Sequence, residues 1–369
     1  MSLVTFLGIY FVRKAGIELA TVGVAFLCEN LLRGVLAPMF GALSDRIGRR
    51  VLLLASALAT AVVLPCFLLV SGPASLLAWS LALGVTGAVN MPVASALLLD
   101  LAPAGRRQSV LALNYTAMSV AYTLGVMPAG YVAERGYGLL AAISATGYVL
   151  VALLYALALR GPLPLEKGKT ETGVLRNTVS AFRDPAFVAF ACMAFVFPLS
   201  MGMVVTVSPV FGAARGLGEG YIGLVLGGNS IIVALLALPV AARIEPLGPL
   251  RLLGAAALLV SIALASYGAI PRADAALLVG TVIFSFGELI FSAAVPAAVA
   301  RLAPPGRRGA YQGGWALVAS LSMGSALALS GWLSGIAGWE RAWLMCAALT
   351  LLVGLGFSRP ARDASRRES

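Results

Sequence analysis

Apolar blocks of about twenty residues recur along the whole chain, separated by short breaks that hold most of its charge. Twenty residues at about 1.5 Å each make roughly 30 Å of helix, the thickness of a bilayer core. The blocks lie near residues 1–12, 19–43, 51–71, 74–100, 108–133, 138–160, 186–212, 220–243, 250–269, 274–300, 309–334 and 340–357. Eleven are long enough to span, whereas the first rises only about 18 Å. The alternating pattern of a membrane barrel is absent. Only 11% of residues are charged, against roughly a quarter in a soluble domain. The expected fold is therefore an all-α integral membrane protein.

The net charge of +11 would suggest nucleic acid in a soluble protein. Here the basic residues fill the breaks between apolar blocks, so topology accounts for them and no nucleic-acid partner is expected. Placing the break after the second block in the cytoplasm puts nineteen of the 26 Lys and Arg residues in cytoplasmic segments and six on the other side. Arg33 alone falls within a span. This is a strong positive-inside bias. It predicts a multi-pass protein of the cell inner (plasma) membrane, with both termini of the complete protein cytoplasmic. Trp79, Trp332, Trp339 and Trp343 fall near outer ends, where an interfacial belt is expected.

The chain repeats itself. Leu101-Ala-Pro-Ala-Gly-Arg-Arg107 recurs as Leu302-Ala-Pro-Pro-Gly-Arg-Arg308, an offset of 201 residues, each copy between two blocks. The repeat implies two parallel six-helix halves. It divides the chain into an N-terminal bundle (1–160), a polar linker (161–185), a C-terminal bundle (186–357) and a basic tail (358–369).

Between the second and third blocks stands Gly41-Ala-Leu-Ser-Asp45-Arg46-Ile-Gly48-Arg49-Arg50. One acid and three arginines between two membrane-length segments require a short and specific loop. The pattern Gly-x-x-x-Asp-Arg-x-Gly-Arg-Arg resembles the signature loop of the major facilitator superfamily of secondary transporters, and the resemblance covers nearly the whole chain. It implies two pseudo-symmetric six-helix bundles with an apparently truncated first helix, and transport by alternating access. In the family, the acid of this motif sits against the start of the eleventh helix, near Pro304-Pro305-Gly306 here. It links there to an arginine and to an acid ending the fourth helix, positions that match Arg49 and Asp100. A carboxylate beside a helix N-terminus is favourable by about 0.3–2 kcal/mol. The resemblance thus makes Gly41, Asp45, Arg46, Gly48, Arg49, Arg50 and Asp100 a gating motif.

Three charges lie within the apolar blocks. Glu29 and Arg33 are spaced i,i+4 in the second and can pair. Glu288 sits near the middle of the tenth, with no partner in its own helix. It could pair with Arg33 across a cavity. A charge at the bilayer centre costs roughly 2.5–3.5 kcal/mol on insertion scales, so these groups should face protein or a watery chamber. Glu29, Arg33 and Glu288 are candidate substrate or proton residues, with an ion pair the alternative for the first two. The family's cavity is lined by spans one, four, seven and ten, which adds Asn90 and Thr206. The glycines at 84/87, 125/130 and 223/227/228 mark close helix contacts.

Catalysis is not expected. The chain has no histidine, its four cysteines are scattered through apolar blocks, and no metal-ligand or phosphate-cradling pattern occurs. No metal or cofactor is called for, and the cysteines are expected to be buried and inert. The few intramembrane charges favour efflux of an amphipathic drug or metabolite, with protons as the coupling partner, lipids as solvent and a monomer as the unit. Phe286-Gly-Glu-Leu289 resembles the tenth helix of some drug exporters. Other drug-antiporter features are missing: Ser80 and Leu83 stand at the positions of an arginine and a glutamine, and Gly125-Val-Met-Pro128 splits a Gly-Pro pair. Uptake of a polar metabolite such as a sugar or amino acid remains the alternative. A non-transporting scaffold or a membrane enzyme is a more distant one.

The repeat carries a prediction. Subtracting 201 from the start of the second half puts the start of the first about 15 residues before Met1. An in-frame apolar extension is therefore expected in the upstream DNA, and a stop codon immediately before Met1 would contradict it.

Overall fold

The computed structural model describes residues 2–102, 107–159, 179–244, 247–304 and 307–358. All regular structure among these residues is helical. Six helices form the first part: α1 (Ser2–Arg13), α2 (Leu19–Ile47), α3 (Arg49–Val63, extended by a 3-10 turn), α4 (Pro73–Leu101), α5 (Arg107–Arg135) and α6 (Tyr137–Ala158). Six follow: α7 (Pro185–Ala214), α8 (Glu219–Ile244), α9 (Pro249–Ala269), α10 (Ala273–Leu302), α11 (Arg308–Ala337) and α12 (Trp339–Ser358). Among the described residues, ten are long and apolar enough to cross a membrane. α5 is 29 residues long and α1 is 12.

The helix ladder carries the repeat further than the sequence motif does. α2, α3 and α4 start at residues 19, 49 and 73, and α8, α9 and α10 start at 219, 249 and 273. The short links repeat too. Gly136 joins α5 to α6 and Gly338 joins α11 to α12, each a single residue at positive φ (152° and 82°) that a side chain would strain. Met1, residues 161–178 of the expected linker, the tail from 359, and Pro103–Arg106 and Pro305–Gly306 of the repeated motif lie outside the described residues.

Proline opens α4, α7 and α9, where its missing N–H costs nothing. At α7 the N-cap is Asp184. It accepts the Ala186 N–H at 2.9 Å and the Tyr311 hydroxyl at 2.7 Å, tying α7 to α11. The Tyr311 bond, above all, holds its carboxyl below the usual carboxylate range.

Packing follows the logic of lipid. Large apolar side chains such as Leu150, Leu153, Leu154 and Leu157 of α6 face outward. Small residues sit where helices cross, because backbones must approach closely without a hydrophobic drive. In the first part α2 packs on α4 and α3 on α6; in the second α9 packs on α10 and α12. Two long seams join the parts, α2 with α11 and α5 with α8. On the first, a Cβ on Gly23 would fall 2.2 Å from the Ala328 nitrogen, and one on Gly331 2.7 Å from the Ala20 nitrogen. On the second, a Cβ on Gly130 would meet the Glu219 carbonyl at 2.3 Å, and one on Gly223 the Val126 carbonyl at 2.8 Å. These contacts lie from mid-helix toward the end opposite Gly48. Glycines 84, 130, 223 and 227 meet the expectation of close contacts, whereas Gly228 has open space beside it.

Two expectations need correction. Trp332 is exposed as a belt residue should be, but Trp79 and Trp343 are buried. Trp79 Nε1 donates to the Val63 carbonyl at 2.9 Å, where α3 gives way to its 3-10 turn, and Trp343 stacks on Tyr267. Both rings fill interhelical space. Of the four cysteines, all free thiols, only Cys346 is buried; Cys192 is exposed.

The seam can be tested. Gly23→Val should destabilise the detergent-solubilised protein by about 1–3 kcal/mol, the range for overpacking. Gly138→Val on α6, which has nothing within 4 Å, should leave the melting temperature unchanged. Equal melting temperatures for both variants would contradict the seam.

Candidate functional site

α10 carries Glu288 at its middle, and α8 brings Asn229 against it at a similar depth. Asn229 Nδ2 donates to Glu288 Oε2 at 3.2 Å. Ser285, nearly one turn earlier on α10, donates to Asn229 Oδ1 at 2.7 Å and lies 2.9 Å from the Thr281 carbonyl. All three side chains are buried. Glycine makes this depth available, since Gly287 lets α10 close onto Val260 and Ala256 of α9. Glu288 therefore has neutral partners. With the proton on, it is one more hydrogen-bonded polar group; with the proton off, it is a buried charge opposite an amide dipole.

The cluster reaches across the α5–α8 seam. On the α5 side of that seam, the Tyr122 hydroxyl meets Thr5 Oγ1 of α1 at 3.2 Å. Polar groups from α1, α5, α8 and α10 thus converge where the two parts of the molecule join. α7 passes beside α1 as a π-helical segment, Met203–Val207, a distortion frequent at functional sites.

The second acid has a different setting. Glu29 is buried on α2 and is ion-paired with Arg33, while Asn30 Nδ2 donates to its other oxygen at 3.1 Å. Gly84 and Gly87 of α4 make room for the pair: a Cβ on Gly84 would lie 2.9 Å from the Glu29 carbonyl, and one on Gly87 2.9 Å from the Arg33 guanidinium. Arg33 is thus committed to Glu29 at the α2–α4 contact, and no Arg33–Glu288 bridge forms.

At the far end of α2, Gly48 (φ 95°) turns the chain into α3. Arg49 Nε lies 2.8 Å from Asp100 Oδ2 at the end of α4, and its Nη2 lies 3.2 Å from Asp45 Oδ1. Arg50 donates to the Ala156 carbonyl in the last turn of α6 at 3.3 Å, where cations suit the helix dipole. Gly41 approaches Pro92 of α4 and Arg46 is exposed. The loop thereby binds α2, α4 and α6 together. Asp45 is 36% exposed, and among the described residues its hydrogen-bond partner is Arg49 rather than α11. The opposite end is closed. There Glu134, ending α5, accepts the Gly220 N–H in the first turn of α8 at 2.8 Å.

Of the remaining candidates, Asn90 is exposed on α4, and Thr206 bonds back to the Gly202 carbonyl at 2.7 Å within the α7 distortion. Neither joins the Glu288 cluster. Thr5, Ser285 and Glu134 were not singled out from sequence. Ser285 could have been, since i,i+3 spacing to Glu288 puts both on one face; Thr5 and Glu134 carry no local signal.

Comparison with known proteins gives a consistent result. The family model described as Major Facilitator Superfamily matches residues 1–270 and 193–369. A Na(+), Li(+), K(+)/H(+) antiporter of Planococcus maritimus is 25% identical over 342 residues, covering 83% of this chain and 79% of the antiporter. The fold is similar to that of the nucleoside transporter NupG (TM-score 0.76, 15% identity, 96% and 94% of the two chains). It is also similar to a POT family transporter in complex with 5-aminolevulinic acid (TM-score 0.74, 15% identity, 97% and 93%). A third likeness is to the human organic anion transporter MFSD10 (TM-score 0.63, 18% identity, 96% and 89%).

Proposed function

The chain belongs to the major facilitator superfamily and is a multi-pass membrane transporter, not an enzyme, and from this premise we propose that it exports a small amphipathic molecule in exchange for protons taken up at Glu288. One observation carries the reading: a mid-membrane carboxylate buried at the seam of the two halves, with an amide as its partner. Such a group can exist with or without its proton, and its position lets its charge bias how the halves meet. The Glu29–Arg33 pair lacks this freedom, and we assign it to fixing α2 on α4.

The charge bias puts the Gly41–Arg50 loop in the cytoplasm. The closed seams would then be extracellular, and the exposure of Asp45 beside Arg49 supports reading this arrangement as inward-open. In the outward-open state Asp45 would return to the start of α11 and the α5–α8 contact at Glu134 would part. The loop triad of Asp45, Arg49 and Asp100 is the inner gate on this account. Among the described residues, few polar groups besides the Glu288 cluster and the Glu29–Asn30–Arg33 group are set at mid-membrane, which favours an amphipathic cargo over a sugar, whose recognition needs several convergent polar groups. A second reading, exchange of an alkali cation for protons, is supported by the antiporter relative.

The test is transport in reconstituted vesicles with an imposed pH gradient. Ethidium on one side, or Na⁺ or K⁺ in separate arms, should dissipate the gradient with the unaltered protein. Glu288→Gln should abolish that dissipation while the protein still folds and inserts. Full gradient-driven exchange by the variant would refute the role of Glu288.

A further inference from the structure

Resting on that reading of Glu288, the hydrogen bonds around it show how the site can tolerate both protonation states. Ser285 is fully buried and its hydroxyl, with a single proton, lies within reach of two acceptors: Asn229 Oδ1 at 2.7 Å and the Thr281 carbonyl at 2.9 Å. Asn229 in turn stands between Ser285 and Glu288.

With Glu288 ionised, the carboxylate only accepts. The Asn229 NH₂ must face it, Oδ1 must face Ser285, and Ser285 must donate to Oδ1. With Glu288 protonated, its hydroxyl needs an acceptor. Rotating the Asn229 amide by half a turn offers Oδ1 to the acid and turns the NH₂ toward Ser285 Oγ. Ser285 then accepts with a lone pair and sends its own proton to the Thr281 carbonyl, already at hydrogen-bond distance. Each key bond in the trio is replaced in the other state, with one side-chain rotation and no backbone movement. We infer that Asn229 and Ser285 form an amide rotor that keeps Glu288 hydrogen-bonded both with and without its proton. Ser285 is a positioning residue that acts through Asn229.

The surroundings leave the rotor as the main local control. On α5, Tyr122 has its hydroxyl engaged with Thr5. On the other helices packed against α10, ionisable residues lie at the ends (Glu219, Arg243, Arg251, Arg308) or, like Tyr267, bond to Thr281. Ala256 and Val260 of α9 flank the neighbouring Gly287 and carry no polar side chain.

The test reads protonation directly. Dicyclohexylcarbodiimide attacks protonated carboxyls in apolar surroundings, so the pH dependence of its adduct on the Glu288 peptide, followed by mass spectrometry in reconstituted vesicles, reports the proton. Glu288→Gln controls for the site of attachment. Asn229→Leu strips the ionised form of its amide, and half-maximal labelling should move to higher pH by about one unit or more. Ser285→Ala leaves the rotated NH₂ without an acceptor, a worse loss than an unmet carbonyl. It should therefore move half-maximal labelling to lower pH by about half a unit, roughly threefold in proton affinity. Ser285→Thr should restore the original profile, and Ser285→Ala should have no further effect in the Asn229→Leu background. Should Ser285→Ala fail to fold, Ser285→Cys, a weaker donor of similar size, should give a smaller shift in the same direction. An unshifted profile in Ser285→Ala (or in Ser285→Cys, should Ser285→Ala not fold), an additive shift in the double variant, or no labelling of Glu288 at any pH would overturn the rotor. Labelling reports the proton whether or not it drives transport. The rotor can therefore fail while proton coupling through Glu288 stands, and coupling can fail while the rotor stands.

Discussion

Backbone-to-backbone contact through glycine is the constraint on which this structure depends. In lipid no hydrophobic drive pulls helices together, so two bundles can be held only where small residues let main chains touch. Gly23 and Gly331 on the α2–α11 seam, and Gly130 and Gly223 on the α5–α8 seam, supply those contacts toward one face of the membrane. Toward the other face Asp45 is exposed and Gly41 lies against Pro92 of its own bundle. On the proposed cycle, joining at one end with parting at the other is one of its two states.

Charge is placed with equal economy. Two acids lie inside the membrane, and they are handled in opposite ways. Glu29 is given a guanidinium and a side-chain amide and fixes one helix crossing. Glu288 is given a neutral amide, Asn229 of the neighbouring α8. On the proposed reading, the paired acid is structural and the acid with a neutral partner is the proton site. The same economy appears outside the membrane, where Arg49 gathers Asp45 and Asp100, and where Glu134 meets the first turn of α8 in the other bundle.

Much of this was legible in the chain. The block length, the arginine bias and the Leu-Ala-Pro repeat led to a helical membrane protein of two related halves, because bilayer thickness and backbone satisfaction leave few alternatives; that it is a transporter came from the resemblance of the Gly41–Arg50 loop to the family's signature. Glu29, Arg33 and Glu288 stood out for the same reason: charges are rare in apolar blocks. What the sequence could not yield was who meets whom across helices. Arg33 pairing with Glu29 rather than Glu288 depends on the crossing at Gly84 and Gly87. Asn229 meeting Glu288, 59 residues away, depends on how α8 lies on α10. Trp79 and Trp343 were misplaced because position along a helix was read without its rotation, and rotation is set by the neighbours. Asn90 and Thr206 drew notice as polar residues on cavity-lining spans, yet only a three-dimensional arrangement shows that neither reaches the acid.

On the proposed cycle the two bundles rock about a mid-membrane site, one end closing as the other opens. Pulsed electron spin resonance on two label pairs follows both ends. One pair, at Arg46 and Arg251, spans the halves at the arginine-rich end; the other, at Ser71 and Arg272, spans them at the opposite end. Between alkaline and acidic vesicles the account predicts opposite changes, one distance distribution shortening as the other lengthens. Distances that stay fixed at both ends, or that grow and shrink together, would contradict it.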